Sequence, residues 1–382
     1  MGMDSPEVMR AGLLAVKNAD APTVGTITVD SYTRVGDHEA ARAALRSGVG
    51  LNGYPIVTHD AATTRAVLDG VADADFPVQV RHGSADPRAV FRALTAAGLD
   101  ATEGGPVSYC LPYSRRPLRD SVAHWSEACE EFDGHLETFG GCMMGQLCPP
   151  GLLVALSLLE AVFFRHHGVR SVSLSYTQQT NADQDAEAIT ALRALAARFL
   201  PDVDWHVVLY AYMGVFPGTP TGARLLMADA ARLAVRAGAR RIIVKTVAEA
   251  HRIPTVAENV AALEDAARAG VPWTGPPVVD TGVLAEATRL VEAVLELSDD
   301  PGAALLDAFR RGLLDVPFCL HPDNAGAARS HVDAHGWLRW STVGAMPVEA
   351  PRRTTEPLGS TGLLTALNRV AQSYDSAVAT LG

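Results

Sequence analysis

The stretch VSLSYTQQTNADQDAEAITALRALAARFLPDVDWHVVLYAY, residues 172–212, decides the fold. A β-rich run at 172–176 is followed by an Ala/Leu/Arg-rich stretch with helical spacing at 182–200, and a second β-rich run follows at 206–212. Short β-rich runs that alternate with helical stretches are typical of parallel βα units. Residues 172–212 therefore predict a strand–helix–strand unit of a parallel sheet.

The same rhythm extends outward on both sides. Eight β-rich runs start roughly 25–35 residues apart, about the length of one βα unit; they are 24–30, 55–59, 78–81, 107–110, 135–138, 172–176, 206–212 and 241–246. This predicts an α/β fold, a (β/α)8 TIM barrel over residues 24–270, with an N-terminal segment at 1–23 and a C-terminal extension at 271–382 packed on the barrel. The alternative is a doubly wound open sheet, but no strand-to-helix turn carries its G-x-G-x-x-G pattern.

Composition excludes several classes of protein. The chain has 382 residues, a net charge of −11 and 48% hydrophobic residues, which disfavours nucleic acid as a partner and disorder as a state. The cysteine count is odd and no C-x-x-C is present, which predicts free thiols in a reducing compartment. Neither a signal peptide nor an apolar run of membrane-spanning length is evident, so we expect a cytoplasmic protein.

Polar residues end the predicted strands. Barrel enzymes build their active sites at the C-terminal strand ends, and the residues found there include Asp30, His59, Arg81, Tyr109, Glu137, Tyr176, Tyr210 and Lys245. Such a rim suits a small, polar, anionic substrate, and Arg81 is able to hold a carboxylate with two hydrogen bonds. The alternative for each single residue is that it only satisfies loop backbone.

Three chemistries are open at this rim. No H-x-H pair occurs and acidic ligands are sparse, so we predict no metal site. Lys245 ends an apolar strand and either forms a Schiff base or pairs with Glu249, four residues on; we favour the pair. Glu160 is the only charged residue between Cys142 and Phe164. It is either a buried carboxylate suited to act as a general base or a solvent-facing residue of an outer helix.

Several long motifs, in order along the chain, resemble the glutamate mutase (methylaspartate mutase) large, or epsilon, subunit family. They are T-V-D-S-Y-T-R (28–34), L-N-G-Y-P-I-V-T-H (51–59), R-H-G-S-A-D (81–86), E-G-G-P-V-S-Y (103–109), P-P-G (149–151), Y-M-G-V-F-P (212–217), I-V-K-T-V-A-E-A-H-R-I-P-T (243–255), D-V-P-F (315–318) and N-A-G (324–326). The similarity runs from about residue 24 to residue 347, and the family fold is a (β/α)8 barrel.

The resemblance implies an adenosylcobalamin-dependent isomerase that rearranges glutamate to 3-methylaspartate through radicals. A separate small subunit with a D-x-H-x-x-G motif then carries the cobalamin, and the chain is a homodimer within a hetero-oligomer. Residues 133–138, D-G-H-L-E-T, lack the final glycine of that motif and lie on a predicted barrel strand. We therefore expect this chain to need the small subunit for its cofactor.

The resemblance also assigns site residues. Glu160 is implied to contact the substrate amino group and to act as a base. The implied substrate-binding residues are Arg81, Tyr176, His82 and Leu136, and the implied cofactor-binding residues are Lys245, Glu249 and Asn324. The family holds its diacid with three arginines, and here Leu136 and Gly48 stand at or near two of those positions. There are therefore two alternatives to a glutamate mutase subunit. The chain is a subunit of a mutase for a different amino acid, or it is a non-catalytic partner of a cobalamin-binding subunit.

Overall fold

The computed structural model describes residues 1–143, 147–350 and 359–379. Seven short strands alternate with helices over the first two thirds of the chain: β1 Gly25–Thr28, β2 Val78–Arg81, β3 Ala101–Gly104, β4 His135–Thr138, β5 Ser171–Thr177, β6 Asp204–Tyr210 and β7 Arg241–Ile243. The helices up to β7 are α1 Pro6–Lys17, α2 Ser31–Val35, α3 His38–Ser47, α4 Ala61–Leu68, α5 Arg88–Ala96, α6 Leu118–Glu130, α7 Pro150–His166, α8 Ala182–Phe199 and α9 Pro220–Ala237.

The strands β1–β7 form one parallel sheet in sequence order. In a flat sheet β3 and β6 would lie about 14 Å apart, because neighbouring strands are spaced by about 4.8 Å. Instead the Tyr210 hydroxyl on β6 lies 2.7 Å from Glu103 on β3, and Arg241 on β7 contacts Glu137 on β4. The sheet is therefore curled into a barrel wall around these side chains. The predicted α/β barrel class is confirmed.

The prediction of eight strands is wrong at two positions. Residues 55–59 form a turn in which the Thr58 and His59 N–H groups donate to Pro55, and only an isolated bridge between Val29 and Tyr54 precedes it. Residues 107–110 also form a turn, because the Leu111 N–H donates back to the Val107 carbonyl. The strand of that unit is β3, which lies just upstream. Its sequence contains the polar residues Thr102 and Glu103 and therefore does not form an apolar run.

The two faces of the sheet differ in chemistry. Successive side chains of a strand point to opposite faces. The helix-facing side carries apolar residues such as Ile27, Val80, Leu136, Val172 and Leu174, and these belong to the main hydrophobic core. The interior side carries Thr26, Thr28, Gln79, Arg81, Glu103, His135, Glu137, Ser173, His206, Tyr210 and Arg241. Barrel interiors are usually filled by branched apolar residues, so this polar interior requires a functional explanation.

Helix α7 is the centre of the apolar layer. Nearly all of its residues are buried, as its apolar composition on every side predicts. It packs against β5 and α8 and is covered by α11, Val283–Leu295, and α12, Pro301–Arg311. The position of α7 explains why Glu160, in its middle, is fully buried.

The remaining described elements are α10 Val256–Ala269, the antiparallel hairpin β8 Arg329–Val332 and β9 Leu338–Thr342, and α13 Ser360–Ala379, which packs on α9. The boundaries predicted at residues 23 and 270 stay a prediction, and residues 351–358 and 380–382 of the predicted extension lie outside the described residues. All five cysteines are unbridged, as predicted. No helix in the described part of the chain is both long and apolar enough to cross a bilayer.

Candidate active site

A continuous chain of ionic and hydroxyl groups lies inside the barrel. The Nε of Arg81 donates to Glu103 Oε2 at 2.8 Å, and the Tyr210 hydroxyl lies 2.7 Å from the same oxygen. The Tyr210 hydroxyl also contacts Glu137, which is paired with Arg241. The Arg81 guanidinium lies over the Tyr210 ring, 5.1 Å from its centroid. Side chains from β2, β3, β4, β6 and β7 are thereby linked in one network.

Each cation of this network has a carboxylate partner. Burial acts to raise the pKa of Glu137, but Arg241 and the hydrogen bond from Tyr210 hold that pKa below its ordinary value. Burial acts to lower the pKa of Arg81, but Glu103, together with Tyr210 and Tyr109, holds that pKa well above its ordinary value. The network therefore contains two guanidinium charges and two carboxylate charges that balance.

A second polar layer lies nearer the N-terminal ends of the strands. His135 Nδ1 lies 2.9 Å from Ser171 Oγ and its Nε2 lies 3.0 Å from Ser173 Oγ. The imidazole stacks on His206 with 5.3 Å between ring centroids, and burial together with His206 lowers the pKa of His135 to about 4. His135 is the histidine of the incomplete D-x-H-x-x-G motif. Both of its ring nitrogens already have partners inside the barrel.

Glu160 is fully buried, which excludes the solvent-facing interpretation. Its Oε1 accepts the Ser108 N–H at 2.8 Å, and its Oε2 accepts the Gly140 N–H at 2.7 Å and the Ser108 hydroxyl at 3.0 Å. These donors belong to the loops that follow β3 and β4, so the carboxylate lies at the C-terminal edge of the sheet. Burial raises the pKa of Glu160 to about 7, although the hydrogen bonds oppose that rise. A carboxyl group with this pKa exchanges protons readily near neutral pH.

Lys245 and Glu249 lie at the same edge, after β7. The distance between Lys245 Nζ and Glu249 Oε1 is 2.6 Å, so the predicted ion pair is confirmed. The two side chains remain 27% and 32% exposed. Both groups therefore keep donors and acceptors available to a ligand at the barrel mouth.

Comparison with known proteins shows the family to which the chain belongs. A sequence model described as "Methylaspartate mutase E chain (MutE)" matches residues 1–356. The chain belongs to this family. Curated relatives named "Glutamate mutase epsilon subunit" include those of Halobacterium salinarum, 33% identical over 344 residues, Haloarcula marismortui, 32% over 335, and Yersinia enterocolitica, 30% over 353. These matches cover 84%, 82% and 84% of this chain and 72%, 68% and 72% of the respective relatives.

Membership makes the chain a mutase-family subunit in the isomerase class. Of the substrate-binding residues predicted for this methylaspartate mutase E chain homologue, Arg81 alone faces the barrel interior. Tyr176 is oriented toward the helices, where its hydroxyl donates to Asp185 at 2.8 Å. His82 stacks on Trp125 of α6 with 5.7 Å between centroids, and burial lowers the pKa of His82 to about 3. The predicted substrate contacts of these two residues stay untested.

The two positions at which the family pattern predicts arginine also lie away from the interior. Leu136 belongs to the helix-facing core, because its neighbours His135 and Glu137 take the interior face of β4. Gly48 ends α3 in the left-handed conformation, with φ 68°, which favours glycine, and it is exposed. The sequence alone therefore does not show that an interior cation has been lost at either position.

Asn324 lies in the loop after α12. Its Oδ1 accepts the Val316 N–H at 2.8 Å, and its Nδ2 donates to the Val316 and Cys319 carbonyls at 3.0 and 3.2 Å. The amide thus fixes a loop, and its predicted contact with a cofactor stays a prediction.

Several interior residues were missed as site residues by the sequence analysis, among them Glu103, Ser173 and Arg241. A signal for them existed. If Arg81 faces the interior, the parallel register places Glu103 beside it on β3. The same register pairs Glu103 with Glu137 on β4 and Glu137 with Ser173 on β5. Interior residues recur every second position and at equal height on neighbouring strands, so strand ends should be examined by alternation and not as consecutive runs.

Proposed function

We propose that this chain is the catalytic barrel subunit of an adenosylcobalamin-dependent carbon-skeleton mutase that converts glutamate to 3-methylaspartate. The observation that carries the proposal is Glu160, a fully buried carboxyl group with a pKa of about 7, at the strand-end edge that also carries Arg81 and the Lys245–Glu249 pair. Family membership supplies the reaction class, and these residues supply groups suited to an amino-acid substrate.

The residues after β7 fit the sugar of a nucleoside-bearing cofactor. A ribose diol requires both hydrogen-bond donors and acceptors, and the partly exposed Lys245 and Glu249 offer both. When bound, adenosylcobalamin supplies the radical chemistry that begins the rearrangement. Because both nitrogens of His135 are already engaged by serines, we assign the cobalamin-binding motif to a small D-x-H-x-x-G subunit. We further propose a homodimer of this chain within the hetero-oligomer, in the cytoplasm.

In this proposal Glu160 binds the substrate ammonium group and holds or accepts its proton. The backbone N–H groups of Ser108 and Gly140 orient the carboxylate, so little reorganisation is needed when it ionises. Arg81 uses Nε to hold Glu103, and its two terminal nitrogens have no hydrogen-bond partner within the described residues. Those nitrogens form the fork that binds a carboxylate.

Aromatic side chains cover part of the interior near the strand ends. Tyr109, Phe139 and Tyr210 form a cluster with ring centroids 5.1 and 5.5 Å apart near the strand ends. Reactive organic intermediates are protected when water and oxygen are kept away from them. The chain's own contribution is therefore to bind, orient and enclose the substrate.

The test combines the purified chain with a cobalamin-loaded D-x-H-x-x-G subunit and adenosylcobalamin, and follows 13C-labelled glutamate by NMR. We expect labelled 3-methylaspartate from the wild type and at least about 100-fold less from Glu160→Gln, the lower range for loss of a general base. The matched control is Glu292→Gln, which alters an exposed carboxylate of α11. Absence of product while the small subunit binds, or turnover of another amino acid only, would contradict the proposal.

A further inference from the structure

Arg241 has a buried donor that the interior network does not use. Its terminal nitrogen pairs with Glu137, but its Nε is buried and has no hydrogen-bond partner within the part of the chain that the structure describes. A buried, unpaired N–H group is unfavourable by itself, and in native proteins such a group usually belongs to a ligand site or a strained site. The strand that carries Arg241 is regular, so strain of the strand does not account for this group, and an acceptor on a ligand inside the barrel would satisfy it.

A second unpaired group lies on β2. Gln79 is almost fully buried, and its Oε1 has no partner among the described residues, whereas its amide nitrogen lies 3.4 Å from the Thr102 carbonyl. Gln79, Arg81 and Arg241 all line one cleft of 420 Å³ between the edges β1 and β7. The cleft therefore presents the remaining donors of two guanidinium groups, each of which is also paired with a carboxylate, and one carbonyl-type acceptor.

The hydrogen-bond donors and the acceptor of this cleft match one class of small molecule. Two guanidiniums on separate strands, β2 and β7, bind two separate carboxylates, and the Gln79 oxygen can accept from an ammonium group. The arginine that the family pattern places on β4 is absent, because Leu136 stands at that position and faces the helices; the interior residue of that strand is Glu137. Glu137 in turn holds Arg241, so the cation of this part of the interior comes from β7.

We infer that Arg241 is the specificity-determining residue that binds the second carboxylate of the substrate, with Arg81 binding the first, so that the barrel selects dicarboxylates. The inference rests on the proposed function in placing the substrate inside the barrel. Glu137 is then a positioning residue that fixes the Arg241 guanidinium and competes with the ligand for it.

The experiment measures binding to the full chain by isothermal titration calorimetry with two probes of equal length, glutarate and pentanoate. Glutarate has two carboxylates and pentanoate has one. We expect the wild type to bind glutarate at least 10-fold more tightly than pentanoate, and Arg241→Lys to weaken glutarate binding by about 10-fold or more, because lysine keeps the charge and loses Nε and the fork. Pentanoate binding should not change. The matched control is Arg232→Lys, an exposed arginine on α9.

A second variant keeps the inference falsifiable if Arg241→Lys folds poorly. Glu137→Gln removes the group that competes for Arg241, so we expect it to tighten glutarate binding by several-fold. A damaged fold does not produce tighter binding. An absence of preference for glutarate in the wild type, or glutarate binding unchanged in both variants, would overturn the inference.

The outcome is separable from that of the proposed function. Loss of the glutarate preference in Arg241→Lys, with no 3-methylaspartate formed by the wild type, would uphold the site and refute the reaction. Formation of 3-methylaspartate with an unchanged KM for glutamate in Arg241→Lys would uphold the reaction and refute the site.

Discussion

The hydroxyl of Tyr210 on β6 and the carboxylate of Glu103 on β3 lie 2.7 Å apart, although two strands of the sheet separate their own strands. The same hydroxyl contacts Glu137 on β4. One phenol therefore connects two buried carboxylates across the barrel. This contact depends on the curl of the sheet, and it holds together the two ion pairs, Arg81–Glu103 and Arg241–Glu137, that face the cleft.

Replacement of Tyr210 by phenylalanine should destabilise the protein. The change leaves two buried carboxylates facing each other without the bridging hydroxyl, and we expect the free energy of unfolding to fall by about 1–3 kcal/mol. Urea denaturation measures the change. Tyr212→Phe is the matched control, because the buried Tyr212 hydroxyl has no partner within the described residues. Its removal should cost less than about 0.5 kcal/mol, and equal losses for both variants would contradict the role given to Tyr210.

Glu160 should make stability depend on pH. Burial raises its pKa from an ordinary value of 4.5 to about 7 in the folded protein. The folded state therefore binds the proton more tightly than the unfolded state, so the stabilisation is fully present below pH 4.5 and is lost as the pH rises to about 7. We expect the wild type to lose on the order of 3 kcal/mol relative to Glu160→Gln across this window.

Denaturation at a series of pH values, with both proteins at each pH, measures that difference and cancels the titration of all other groups. The control Glu292→Gln, at an exposed position, should show no such window. A constant difference between wild type and Glu160→Gln from pH 4 to pH 8 would show that the pKa of Glu160 is the same in the folded and unfolded states, so that burial does not raise it.

Gly105→Ala should displace the Glu160 carboxylate. A Cβ atom at Gly105 would overlap the carboxyl group of Glu160, well inside van der Waals contact. Such overpacking typically costs about 1–3 kcal/mol, and mutase activity should fall with it. Thermal denaturation and turnover check both effects. Gly359→Ala is the control, since within the described residues no atom beyond its chain neighbours lies within 4 Å of the added methyl position. A fully active and stable Gly105→Ala protein would mean that Glu160 is not held at this contact.

Lys245→Met separates binding at the barrel mouth from folding. The Lys245–Glu249 pair is partly exposed, so its loss should change stability by less than about 1 kcal/mol. We expect the concentration of adenosylcobalamin that gives half-maximal activity to rise by about 10-fold, as for loss of one charge-assisted hydrogen bond. Arg268→Met, which breaks an exposed pair on α10, is the control. An unchanged cofactor requirement would refute the contact with the ribose.

The sequence by itself determined the class of fold, the family and several individual residues. Alternating strand and helix patterns predicted the parallel barrel, and long motifs such as residues 243–255 predicted the family. Glu160 was recognisable as a buried carboxylate because α7 has no polar face to which it could belong. The i,i+4 spacing of Lys245 and Glu249 predicted their ion pair. These signals are local, and local spacing is present in the sequence.

Only the tertiary structure decided which side chains share the interior. The donors to Glu160 come from Ser108, 52 residues away, and from a loop after another strand. Arg241 meets Glu137 across 104 residues. Tyr176, His82 and Leu136 face the helices because side chains alternate along each strand, and the register between strands settles which set faces inward. That register depends on how the whole sheet pairs and curls, which no single stretch of sequence contains.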